Sequence, residues 1–83
     1  MTPEELAVEV ERLGAGSYKK VRVLPDGSVA ATVDLMFTRA IILDCDLSGY
    51  GNRFCFDNKA LADQRFSELQ GADDVPAGFI AQR

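Results

Sequence analysis

The chain has 83 residues, of which 47% are hydrophobic and 27% charged, and its formal net charge is −4. These values describe one small domain over residues 1–83 and exclude a multidomain enzyme, a disordered tail and a spanning helix, which needs about twenty apolar residues in a row. Met1-Thr2-Pro3-Glu4-Glu5 offers no basic region followed by an apolar stretch, so no leader is expected and the expected localisation is cytoplasmic.

The first segment carries helix start and stop signals. Thr2 is a candidate N-cap, Pro3 suits the first helical position, and Glu5 completes a capping box while Glu4 and Glu5 face the positive end of the dipole. Leu6, Val10 and Leu13 recur at i, i+4 and i+7 and predict one buried stripe, with Glu4, Glu9 and Glu11 toward solvent. Gly14 and Gly16 are expected to end this helix.

From Tyr18 the period changes to two. Val21 and Val23 alternate with Lys20 and Arg22, Leu24-Pro25-Asp26-Gly27-Ser28 supplies a turn, and Val29, Ala31, Val33, Leu35 and Phe37 alternate again. A third strand is predicted from Ala40 to Leu47 and a fourth, with Phe54 and Phe56, after Ser48-Gly49-Tyr50-Gly51-Asn52. A second helix is predicted from Asp57 or Asn58 to about Gln70, buried through Ala62, Phe66 and Leu69, widened by Leu61 and stopped by Gly71. Phe79-Ile80-Ala81 is expected to dock as an extended edge segment. The predicted fold is α+β: an N-terminal helix, a four-stranded antiparallel meander, a second helix on one face and a short C-terminal strand, in the order α-β-β-β-β-α-β. Since so short a chain fills one core, both helices are expected on the same sheet face.

Strand register decides the cysteines. Pairing Cys45 with Cys55 scatters the apolar residues. Placing Cys45 opposite Phe54 and Leu43 opposite Phe56 gathers Ile41, Leu43, Cys45, Leu47, Phe54 and Phe56 on one face. No disulfide is then expected, with Cys45 a small buried hydrophobe and Cys55 on the opposite face.

The residue types present limit the chemistry. Without histidine there is no imidazole base and no nitrogen ligand for zinc, so the chain is expected to be non-enzymatic, without metal or cofactor. Cys55, with Arg53 nearby, is the only obvious nucleophilic centre an enzyme could use. Asp44-Cys45-Asp46-Leu47-Ser48-Gly49 resembles the first six positions of an EF-hand calcium loop. The resemblance stops there, because the twelfth position is Cys55 and the flanks read as strands; Asp44 and Asp46 are expected to be solvent-facing alternates.

Tyr50, Asn52 and Arg53 are expected to form a hairpin tip suited to a partner, since Tyr and Arg dominate interface energetics. Net charge is −3 over residues 1–16, +2 over 17–43 and −3 over 44–83. Lys19, Lys20 and Arg22 lie on or beside the first strand, where lysines guard a sheet edge. The acidic balance makes direct nucleic-acid binding unexpected.

In size, acidity and lack of catalytic equipment the chain is similar in general character to the small cofactor-free proteins of phages and mobile elements, anti-CRISPR proteins among them, that bind and block a host machine. That resemblance implies an inhibitor occupying a basic surface on a larger protein or nucleoprotein complex. The candidate contacts, chosen from the sequence, are Tyr50, Asn52, Arg53, Glu4, Glu9, Glu11, Asp44 and Asp46, with no membrane partner. The alternative is a self-assembling or homodimeric accessory protein that pairs through its sheet.

Overall fold

A computed structural model describes residues 1–14 and 17–82, without the side chain of Gln82. Helix α1 spans Pro3–Leu13, with the Thr2 hydroxyl accepting from the Glu5 N–H and the Glu5 carboxylate accepting from the Thr2 N–H. Gly14 caps its end; the stop expected of Gly16 lies outside the described residues. Strands β1 (Tyr18–Val23), β2 (Val29–Asp34), β3 (Arg39–Leu43) and β4 (Asn52–Phe56) follow as an antiparallel meander. Helix α2 (Lys59–Glu68) returns the chain to β5 (Ala81–Gln82), which pairs antiparallel with the outer edge of β4. The fold is α+β, as the patterning predicts.

The helices lie on opposite faces of the sheet, against the expectation of a shared face. On one side Phe66, Ala62 and Leu69 of α2 and its exit pack with Ala30, Ile41, Leu43, Phe54 and Phe56. On the other, Val10 of α1 packs with Val29, Ala31, Ile42 and Cys45. The physical reason is in the central strands. Val29, Ala30 and Ala31, and then Ala40 through Leu43, are buried at consecutive positions, so both pleat faces must be covered. α1 covers only part of its side: Leu6 and Ala7 are half-buried with Val10, whereas Leu13, expected inside, is exposed.

Strand β3 stops at Leu43, four residues short of the expected end at Leu47, because Asp44 adopts a left-handed φ of 57°. The β3–β4 register is Ile41 opposite Phe54 and Arg39 opposite Phe56, shifted from the expected pairing by an even number of residues. An even shift preserves the faces of Ile41, Leu43, Phe54 and Phe56. It does not preserve those of Cys45 and Leu47. Past the Asp44 kink, the Cys45 N–H reaches the Val29 carbonyl at 2.9 Å, its side chain enters the α1-side core, and Leu47 is exposed. Cys55 is buried on the face opposite Phe54 and Phe56, and both cysteines are free thiols. β2 also ends early, at Asp34, leaving Phe37 outside rather than in the predicted alternation.

Helix α2 begins after Asn58, whose side-chain oxygen accepts from the Leu61 N–H at 3.0 Å. It ends at Glu68, before the predicted Gln70: Leu69 turns extended and is buried, while Asp74 accepts from the Gln70 N–H at 2.6 Å and organises the exit. Phe79 docks as expected, its ring 5.0 Å from that of Phe54 in an edge arrangement, but Ile80 is exposed.

Candidate interaction surface

The cations of the middle segment mostly fasten α2 to the sheet. Arg39 contacts Asp34 at 2.6 Å and Asp63 at 2.7 Å, Lys20 lies 3.8 Å from Asp63, and the Arg22 guanidinium donates to the Phe66 carbonyl near the end of α2. A guanidinium at a helix C-terminus satisfies an otherwise unpaired carbonyl and complements the dipole. Segment charge therefore misstates what the surface displays. Lys19 and Lys59 make no ion pair among the described residues.

The residues expected to form one contact surface are spread over the molecule. Asn52 and Arg53 belong to strand β4, opposite Leu43 and Ile42, and are half-buried instead of forming a tip. The Arg53 Nε is enclosed without a hydrogen-bond partner. Glu4 stands exposed in the first turn of α1, whose Pro3 lies against Gly27 of the β1–β2 turn. Glu11 is exposed near the other end of α1, and Glu9 pairs with Arg12 one turn on. Asp44, Asp46 and Tyr50 lie together on the segment 44–51.

That segment is more organised than a plain turn. The Asp46 Oδ1 accepts from the Ser48 N–H at 2.8 Å, the Ser48 hydroxyl at 2.8 Å and the Gly49 N–H at 2.9 Å. These bonds, the Ser48 hydroxyl foremost, hold the Asp46 carboxyl below its ordinary pKa, so it is charged at neutral pH. One oxygen of the carboxylate is thus engaged by its own loop. Among the described residues no group of three or more His, Cys, Asp or Glu gathers as a metal site. Burial, with Asp44 and Asp46 adding repulsion, pushes the Cys45 thiol up to about 12, which keeps it protonated and unreactive.

The segment folds toward the end of α1 and leaves a groove of about 310 Å³ between them, lined by Val10, Leu13, Tyr18, Leu47, Asp46 and the neighbouring serines and glycines. Leu13 is 57% exposed and Leu47 53% exposed, and Tyr50, one residue past Gly49 of the groove wall, is 43% exposed. Burial pushes the Tyr18 hydroxyl above its ordinary pKa, so it remains a neutral donor in the wall. Sequence patterning placed Tyr50 and Asp46 on the surface, where they are, but assigned the exposed Leu13 and Leu47 to the core. It also missed Met36 and Phe37, 86% and 81% exposed at the β2–β3 tip. The available signal was the Asp34/Arg39 pair bracketing four residues without turn-forming glycine or asparagine.

Among the described residues no helix is long and apolar enough to cross a membrane. The chain matches no protein-family model, and no curated protein or solved structure is significantly similar to it.

Proposed function

We propose that this chain is a non-enzymatic protein-binding module that works by occupation, an inhibitor of a larger protein or protein–nucleic acid complex. The observation that carries the proposal is the groove between α1 and the segment 44–51, where Leu13 and Leu47 stand exposed along a cleft that also holds the charged Asp46, with the exposed Tyr50 next in sequence to Gly49 of its wall. Large apolar side chains held on a fixed scaffold around a concavity are what a hot spot requires. The matching partner segment is apolar with a lysine or arginine, which would meet Asp46 and approach the acidic side of α1.

Pairing through the sheet is the weaker alternative. The long free edge is β1, because at the other side the two-residue β5 covers β4 at Phe54 and Cys55. The Leu24 N–H bond to the Ser28 carbonyl sets the ladder parity, so Val21 and Val23 direct their backbone groups away from β2. A two-fold pairing about Val21 would set Lys20 against Arg22 of the other copy, and like charges directly opposite oppose such pairing.

The test is affinity for a partner recovered from host lysate by the unaltered chain. Leu47→Asp and Tyr50→Ala should each weaken binding by about tenfold or more, while Val75→Ala, at an exposed position outside the groove, should change it less than about twofold. Folded variants of Leu47 and Tyr50 that bind like the parent would show that the groove is not the contact surface.

A further inference from the structure

Taking the groove as the contact surface proposed above, we propose that the β2–β3 tip of one copy seats in the groove of a second copy, giving a weak reciprocal pair that hides both grooves. The tip is an apolar wedge on a closed turn. Met36 and Phe37 are neighbours with almost all of their surface in water, and the Leu35 N–H bond to the Thr38 carbonyl, 2.8 Å, closes the turn beneath them. Arg39 braces the base through Asp34 and through Asp63 of α2. A surface pair of this kind, held in place and covered by nothing of its own chain, is the form of an anchor residue.

The groove supplies the complement in shape and charge. Its apolar wall comes from Val10, Leu13 and Leu47, and its volume of about 310 Å³ has room for a Phe ring and a Met side chain together. Lys19 and Lys59 lie close enough to Asp34, beside the tip, to act on its carboxylate, and neither has an ion-pair partner among the described residues. A tip entering the groove brings these ammonium groups toward Asp46. Asp57, next after Phe56 opposite Arg39, stands at the tip end as well, and the −4 charge on each copy opposes the encounter, so the attraction is local and the pair weak.

Area decides between an open chain of contacts and a closed pair. Two side chains the size of Met and Phe bury roughly 300 Å² on the tip and a similar area in the groove, about 600 Å² per contact. One such contact falls below the roughly 1,200 Å² of a stable interface, whereas two related by a two-fold axis reach it. The consequence is regulatory: self-association and partner binding compete for the same groove, so dilution frees it.

Sedimentation of the protein alone from about 10 µM to about 1 mM tests this, and its outcome does not depend on whether a partner is found. A concentration-dependent dimer is expected, weakened about tenfold or more by Phe37→Ser on the tip and by Leu47→Lys in the groove. Mixing the two variants should restore part of the association, because one tip and one groove remain intact in the mixed pair. The chain has no tryptophan, so Phe37→Trp gives a single reporter whose emission should shift to the blue as the pair forms. A strict monomer at all these concentrations, or a dimer that either substitution leaves unchanged, would overturn the proposal.

Discussion

Gly14 lies so close to Tyr18 that a Cβ built there would overlap ring carbons Cγ and Cδ2, atoms near the root of the side chain that cannot swing away cheaply. Gly14→Ala is therefore expected to cost about 1–3 kcal/mol in urea unfolding, as overpacking does, although alanine favours helix. The cost should largely vanish in a Tyr18→Ala background, which a double-mutant cycle would read directly. Asp44 shows the other way in which one residue fixes a path. It is exposed, yet its φ of 57° turns the chain from β3 into the groove loop. Asp44→Val is expected to cost about 1–3 kcal/mol, because a β-branched residue is strained there. Asp44→Asn, which tolerates the same conformation, should stay within about 0.5 kcal/mol, separating the backbone role from the charge.

Elements in this fold are joined by carboxylates as much as by apolar contact. Asp34 is held below its ordinary pKa chiefly by its hydrogen bonds to Arg39, and Asp26 by the Ser28 hydroxyl and the Ala72 N–H. The Asp26–Ala72 bond, 2.9 Å, ties the β1–β2 turn to the segment after α2. A carboxyl whose folded pKa lies below its unfolded value contributes stability above the unfolded pKa. That contribution is lost as pH falls from about 4 through the lowered folded value. Urea midpoints should thus be level near neutrality and drop on acidification below about pH 4, and Asp26→Asn should flatten that drop. The boundaries of α1, and the N-cap of α2 to within one residue, were legible because caps are local: Thr2, Pro3, Glu5 and Asn58 act within one turn. The ends of β2 and β3 were not, because alternation alone does not say where a partner strand stops.

At the scale of the molecule, two apolar layers flank one sheet, and each is thin. Phe66 anchors the α2 layer. Phe66→Ala is expected to remove about 3–5 kcal/mol, a large part of the roughly 5–15 kcal/mol that holds a domain together, and should lower the thermal midpoint sharply. Phe37→Ala, the same change at the exposed tip, should alter stability by no more than about 0.5 kcal/mol. Apolar content therefore divides into residues that hold the fold and residues that decorate it, and composition does not separate them. Leu13, Leu47, Met36 and Phe37 all belong to the second group, although periodicity assigned all of them except Met36 to the core.

The order of elements, the β1–β2 turn, the caps and the face shared by Ile41, Leu43, Phe54 and Phe56 were determined by sequence alone, since each follows from short-range periodicity and one-turn hydrogen bonds. The central runs Val29-Ala30-Ala31 and Ala40-Ile41-Ile42-Leu43 also carried, unused, the sign that both sheet faces are buried. Only the tertiary structure decided that the helices take opposite faces, that Cys45 turns into the α1 layer, and that α1 and the segment 44–51 leave a groove. Those outcomes depend on one left-handed residue and on which layer each helix can reach, long-range competitions in which several packings of the same local pattern are available.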